Sequence, residues 1–337
     1  MQTTTGLKSF WKRLTSSRET TLFLVLALIC VFIQLRNSSF LTAKTIEDML
    51  KNYSTTITLS LGMMSVLLIG GIDISVASSL AFSGMCASLL MREGVYSSTL
   101  VMFLVSMAIG TLCGLIVGSV IAYGDVIPII ATLGLTNIFR GATYLVSDSQ
   151  WVSAYQFQSS FKQFAQTKTL SFGLVNNLIF ISIVCYVAFF IIMRWTRFGR
   201  RIYAVGSNPE AASVSGINIK RIKLVVYTMA GSFAGLTGAM YTSLYASAQN
   251  DMALGMEMDV IAACVLGGVS LSGGQGSVVG VFLGALTMAV ISKALPLIGI
   301  SQFWQRAIKG LIILLAIIIN IIAQRVLLKN QLKEREI

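Results

Sequence analysis

Histidine is absent from all 337 residues, and charge is scarce: Asp, Glu, Lys and Arg together make up 11% of the chain. Soluble domains carry roughly 25% charged residues. With 55% hydrophobic residues and a mean hydropathy of +0.80, the chain cannot be dissolved as an ordinary soluble fold. It reads as a polytopic membrane protein. The missing histidine excludes Ser-His-Asp and Cys-His catalysis, histidine–metal sites and imidazole proton relays. The five cysteines (Cys30, Cys86, Cys113, Cys185, Cys264) lie in apolar stretches without ligand spacing, which points to buried thiols. No catalytic and no metal-binding set is expected.

What is present is a series of apolar runs. A helix needs about 20 apolar residues to cross a bilayer. Ten candidate spans appear: 20–35, 54–70, 74–91, 98–123, 126–146, 172–193, 224–246, 260–269, 278–295 and 303–323. The eighth is short and broken by glycine, and Pro128 and Arg140 suggest an irregular fifth. The net charge of +12 would suggest nucleic acid in a soluble chain, but its placement argues otherwise. Fifteen of the 25 basic residues form three clusters. They are Lys8, Lys12, Arg13 and Arg18; Arg194, Arg197, Arg200, Arg201, Lys220, Arg221 and Lys223; and Arg325, Lys329, Lys333 and Arg335. The positive-inside rule makes all three cytoplasmic, held against anionic lipid. Six spans before the central cluster and four after it satisfy the parity this requires. No nucleic-acid partner is expected. The first apolar run lacks a small-residue cleavage site and reads as a membrane helix, not a cleaved signal.

Two apolar runs are interrupted alike. VLLIGGIDIS (66–75) and ACVLGGVSLS (263–272) align Gly70–Gly71 with Gly267–Gly268. Matching breaks in two halves point to discontinuous helices that line a pathway; chance and glycine-mediated packing are the alternative. Gly70, Gly71, Asp73, Gly267, Gly268 and Ser270 are the candidate pathway residues. Gly110, Gly114 and Gly118, like Gly231, Gly235 and Gly238, have the spacing of close helix packing.

The central loop, GRRIYAVGSNPEAASVSGINIKRIK (199–223), carries helix signals. Asn208 suits an N-cap, Pro209 the first helical position, and Glu210 the positive end of the helix dipole. Ala211, Ala212, Ser213 and Val214 suit a short helix, and Gly216 can end it. A two-turn helix outside the membrane needs a partner or the lipid surface to cover its apolar face.

Four segments resemble the sugar-type permeases of bacterial ATP-binding-cassette importers, the group handling ribose, rhamnose, xylose and autoinducer-2. They are GGIDIS (70–75), ATLGLTNIFRG (131–141), GRRIYAVGSNPEAASVSGI (199–217) and IAACVLGGVSLSGGQGSVVG (261–280). Ala77, Leu135 and Thr136 depart from the usual pattern but remain helix-compatible. The resemblance implies an all-α vitamin-B12-importer-like permease of about ten helices with related halves. It implies pairing with a second permease subunit, identical or paralogous. It also implies ABC ATPase subunits inside, which bind the ATP and Mg, and an extracytoplasmic solute-binding protein outside. The loop at Asn208–Gly216 would be the ATPase-coupling element: Asn208, Pro209, Glu210, Ala211, Ala212, Val214 and Gly216. MEMDVIAACVLGG (256–268) is closest to the rhamnose and autoinducer-2 permeases, with the ribose group near.

Charges near the spans complete the reading. Asp73 either caps the next helix or contacts an ion or substrate. Arg140 pairs with an acidic neighbour or snorkels. Asp251, Glu257 and Asp259 form an outer acidic rim, a docking surface or an ordinary solvated loop. The polar, aromatic segment 147–171 suggests an interfacial helix on the outer face. GGQGSVVG (273–280) lacks the lysine of a phosphate loop, so hydrolysis belongs to a partner. An ion-coupled secondary transporter is the alternative, weakened by the lack of paired intramembrane carboxylates. The expected organisation is a cytoplasmic tail (1–19), one transmembrane domain (20–324) with the coupling loop at 195–223, and a cytoplasmic tail (325–337). The expected location is the bacterial cytoplasmic membrane with both termini inside.

Overall fold

A computed structural model describes residues 18–301, 303–305, 307–311, 314–315 and 318. The basic residues at 8, 12, 13, 325, 329, 333 and 335 lie outside them.

The helices begin and end where local chemistry requires. Helix α1 (Arg18–Arg36) is an unbroken apolar run. Helix α2 (Ala43–Leu68) starts at Thr42, whose hydroxyl accepts from the Thr45 amide. Its polar first turns lengthen it well ahead of the apolar run. Helices α3 (Val76–Arg92), α4 (Thr99–Ala122) and α5 (Pro128–Val146) follow. Pro128 occupies the first turn of α5, where its missing N–H does no harm, and Arg140 lies inside a continuous helix. The expected irregularity is therefore absent. A short helix α6 (Ser159–Phe164) precedes α7 (Asn177–Trp195). Then come α8 (Arg197–Ser207), α9 (Pro209–Val214), α10 (Ile219–Tyr245), α11 (Met256–Leu266) and α12 (Val278–Leu297). Helical backbone recurs at 303–305, 307–311, 314–315 and 318. Among the described residues the only β contact is one isolated bridge, Val152–Ala248.

The architecture is all-helical. Among the described residues six helices are long and apolar enough to cross a membrane: α1, α4, α5, α7, α10 and α12. Helix α2 is as long, but it opens with Lys44, Glu47, Asp48 and Lys51 and continues through buried Ser and Thr. Helix α3 is slightly short at 17 residues. Helix α11 has 11 residues, about 16 Å of rise against a hydrocarbon core of about 30 Å.

Helix α10 is the central post. Its Gly231 and Gly235 meet Gly110 and Gly114 of α4 backbone to backbone, closely enough that a Cβ at Gly231 would overlap the Gly110 carbonyl. Ser106 Oγ donates to the Gly235 carbonyl at 2.6 Å, and the Thr111 and Ser232 hydroxyls meet at 2.8 Å. On another face, a Cβ at Gly238 would lie 2.7 Å from the Leu80 carbonyl of α3. Between apolar helices in lipid there is little hydrophobic gain from association, so close packing and hydrogen bonds hold the bundle. Outward-facing Leu28, Phe32, Leu112, Ile116 and Val187 are exposed as lipid-facing residues should be.

Contacts between loops define two ends of the bundle. At one end Glu19 accepts from Ser277 Oγ at 2.8 Å, and Lys220 pairs with Asp125 at 3.2 Å. The central basic cluster shares this end. At the other end Lys168 pairs with Glu47, Asn37 donates to the Leu297 carbonyl, and Arg140 reaches the carbonyls of Asn250 and Met252. Helices α10 and α12 both begin at the first end, with the 11-residue α11 between them.

Candidate functional site: a displayed helix and two helix breaks

Helix α9 forms as its sequence dictates. Asn208 accepts from the Ala211 amide at 2.9 Å, Pro209 fills the first turn, and Glu210 sits beside the exposed amides. The chain closes through Gly216 (φ +79°), whose amide donates to Ser213, while that of Ile217 donates to Ala212. This is a glycine C-cap with the Schellman bonding pattern. Only Ala212 turns inward, at 4% exposure; Glu210, Ala211 and Ser213 are exposed, and Val214 is 91% exposed. The capped helix thus holds the Val214 side chain outward. Ala212 is therefore a packing residue and not part of the outward face.

Helix α8 is amphipathic. Gly199, Ile202 and Val205 are buried, whereas Arg200 and Arg201 are exposed. Arg197, Arg200 and Arg201 line a basic hollow of about 380 Å³ with Ala204 and Ile217. On the inner side, Tyr203 Oη donates to the Gly276 carbonyl at 2.9 Å. Burial pushes this phenol above its ordinary pKa, so it stays protonated as a donor.

The two breaks end alike. At the first, Gly70 (φ +74°) donates to Leu67 and Gly71 donates to Val66. At the second, Gly268 (φ +88°) donates to Val265 and Val269 donates to Cys264. Both are Schellman-type endings that require a left-handed residue. The conformational partner of Gly70 is thus Gly268, and the alignment of Gly70 with Gly267 is off by one. Gly267 is small for a different reason: a Cβ there would overlap the Gly280 carbonyl of α12. Gly71 gives room to Tyr227 of α10. The same ending recurs at Gly94, Gly216 and Gly299, so it does not itself mark a pathway.

Asp73 is buried, and its Oδ1 accepts from the Ser75 amide at 2.9 Å and the Ser75 hydroxyl at 2.6 Å. It organises the turn into α3. Ser270 is likewise buried in the second break, where its amide donates to Gln275 and its hydroxyl accepts from the Ser272 amide at 3.1 Å.

The family described as branched-chain amino acid transport system / permease component matches residues 45–317. The chain belongs to this permease family. It is 34% identical to the ribose import permease protein RbsC of Bacillus subtilis over 298 residues, covering 88% of this chain and 91% of the relative. With Escherichia coli RbsC (strain K12) the identity is 33% over 321 residues, 95% and 98% of the two chains. With the Escherichia coli galactose/methyl galactoside import permease protein MglC it is 33% over 325 residues, 93% and 96%. No solved structure matches the chain. As a permease component it is a transport subunit and not an enzyme.

In this permease the three acidic residues at the other end do not form a uniform rim. Asp259 pairs with Lys309 at 3.1 Å, and Arg140 lies within the field of Glu257 and Asp251 while binding two carbonyls. Of the three, Asp251 alone is exposed. The segment 147–171 folds over that end. Phe157 and Phe161 are buried against one another, and Phe161 also meets Phe103, leaving Trp151 and Tyr155 outward.

Reasoning from sequence missed the open face of α5. Gly134, Asn137 and Gly141 are exposed on one side of that helix, and a Cβ at either glycine meets nothing within 4 Å. The quoted ATLGLTNIFRG segment held the signal. Gly134, Asn137 and Gly141 are three and four residues apart, which on a helix is a single face.

Proposed function

We propose that this chain is the membrane permease subunit of a bacterial ABC importer for a monosaccharide or sugar-like molecule. The observation that carries it is one-third identity, over nearly the full length of both chains, to proteins named ribose and galactose import permeases. Rhamnose and autoinducer-2 remain in the substrate set through residues 256–268. The reading includes ten spans in a vitamin-B12-importer-like fold with related halves, in the cytoplasmic membrane with both termini inside. The organisation is a tail at 1–19, one membrane domain at 20–324 and a tail at 325–337. Its partners are ABC ATPase subunits that supply two ATPase domains, a second permease copy or paralogue, and an extracytoplasmic binding protein; ATP and Mg belong to the ATPase.

The mechanism is alternating access. The binding protein delivers sugar at the end carrying Asp251, Trp151 and Tyr155. ATP closes the ATPase dimer, which moves Asn208–Gly216 through contacts at Glu210, Ala211 and Val214. The faces of two permease subunits then open toward the other side. The exposed Gly134–Asn137–Gly141 face of α5 suits a pathway, because small side chains leave space and Asn137 offers polar contact without tight binding.

Reconstitution with the cognate ATPase and binding protein tests the reading. ATP-dependent uptake of labelled ribose, galactose, rhamnose or autoinducer-2 is expected. Uptake by the permease alone on an Na⁺ or H⁺ gradient would replace it with the ion-coupled alternative. Glu210→Lys and Val214→Asp should each weaken ATPase co-purification about tenfold, the effect of losing an interface anchor worth about 1.4 kcal/mol.

A further inference from the structure

Three backbone segments from distant parts of the chain meet next to α9. They are Leu68–Gly70 at the first break, Gly206–Ser207 at the end of α8, and Gly273–Gly274 after the second break. The Gly274 amide donates to the Leu68 carbonyl at 2.9 Å. A Cβ on Gly206 would overlap that carbonyl and stand 2.6 Å from the Gly274 nitrogen. A Cβ on Gly273 would stand 2.8 Å from the Gly70 nitrogen and 2.9 Å from the Gly206 carbonyl, and one on Gly274 would stand 2.6 Å from Ser207 Oγ. Each glycine therefore lacks a side chain where another segment's backbone passes. Tyr203 adds the bond to Gly276 one turn earlier on α8.

The positions in sequence give this knot its meaning. Ser207 directly precedes Asn208, the N-cap of α9. Leu68 is the last residue of α2, and the Ile72 carbonyl beyond that break faces the buried Thr132 hydroxyl of α5 at 3.4 Å. A displacement of α9 thus bears directly on the close-packed backbone that joins both breaks. Close-packed backbone is stiff and shifts as a body.

We propose that Gly206 and Tyr203 are positioning residues for energy coupling: they lock α8 to both helix breaks, so that α9 and the breaks move as one unit. This rests on the importer reading and adds to it the place where ATPase motion enters the membrane domain.

The test uses the full permease–ATPase complex in proteoliposomes with the binding protein, comparing wild type, Gly206→Ala and Tyr203→Phe. Co-purification, thermal stability, ATP hydrolysis and sugar transported per ATP are measured. For Gly206→Ala, co-purification and hydrolysis should stay within about threefold of wild type, while transport per ATP falls about tenfold, the range open to a lost coupling contact. Tyr203→Phe, which removes one hydroxyl, should lower transport per ATP about two- to threefold with unchanged melting temperature. If Gly206→Ala destabilises the permease, Tyr203→Phe decides. Wild-type transport per ATP in a stable Gly206→Ala complex overturns the proposal, and so does unchanged coupling in Tyr203→Phe. A wild-type chain that binds no ATPase would instead overturn the importer reading.

Discussion

Glycine does opposite work on α10 and α5. On α10, Gly231 and Gly235 face the α4 backbone so closely that no side chain could fit. On α5, a Cβ at Gly134 or Gly141 would meet no described atom within 4 Å. Both helices are long enough to span, and both place glycines along one face. One surface is closed because its glycines are used inside this chain. The other is open because none of the described residues packs against them. Glycine in a helix interior costs roughly 1 kcal/mol relative to alanine. On α10 close packing offsets that cost, whereas on α5 no contact among the described residues does.

The hardest break of this comparison is Gly231→Leu. Its side chain would enter the Gly110 carbonyl and stand against Gly114 Cα, at 2.6 Å from the Cβ onward. Neither backbone can yield without separating α4 from α10. The cost should exceed about 3 kcal/mol, seen as loss of monodisperse protein in detergent and of ATPase association together. A variant that purifies with wild-type thermal stability would show that the crossing is not needed.

The breaks allow a finer cut, because their glycines are small for different reasons. Gly267→Ala must push α11 from α12, since the new methyl overlaps the Gly280 carbonyl; about 2–3 kcal/mol is expected. Gly70→Ala meets nothing closer than the Ser272 carbonyl at 3.5 Å and pays only for its left-handed backbone, about 1–2 kcal/mol. Thermal melts should rank Gly267→Ala below Gly70→Ala. The reverse order would mean that conformation, not contact, governs the second break.

Sequence patterns revealed some of this and hid the rest for physical reasons. The cap at Asn208, Pro209 at the first turn and Gly216 at the end are local signals, and α9 forms accordingly. The paired glycine stripes on α4 and α10 were legible because close packing has a spacing. The register of the breaks was not: Gly267 and Gly268 are adjacent and identical in type, and only backbone angles separate the one that turns from the one that packs. The inward side of Ala212 was hidden because a two-turn helix has no periodicity to show its buried face. Gly206 looks like any loop glycine until Leu68 arrives from 138 positions earlier in the chain.

Side-chain contacts, not glycine packing, hold α5 in place. Its Arg140 guanidinium donates to the Asn250 and Met252 carbonyls at 3.1 and 2.9 Å, and Phe139 stacks on Phe82. Arg140→Gln should release the α5–loop staple at a cost of about 1–2 kcal/mol. Limited proteolysis at residues 247–255 should accelerate while the α4–α10 crossing stays intact. Unchanged protection of that loop would show that Phe139 and its neighbours suffice.

The smallest effect on stability is expected at the open face itself. Gly134→Leu and Gly141→Leu add side chains into space that the chain leaves empty, and leucine is the better helix former by roughly 0.8 kcal/mol. The melting temperature of the isolated subunit should hold or rise slightly. Transport should nevertheless fall tenfold or more, as about 1.4 kcal/mol of obstruction suffices for that. The contrast with Gly231→Leu then becomes one of kind: one leucine breaks the subunit, and the other leaves it folded and blocks what passes beside it. Equal transport by Gly134→Leu, Gly141→Leu and wild type would assign the open face to lipid. A melting temperature depressed as far as that of Gly231→Leu would remove the distinction between the two helices.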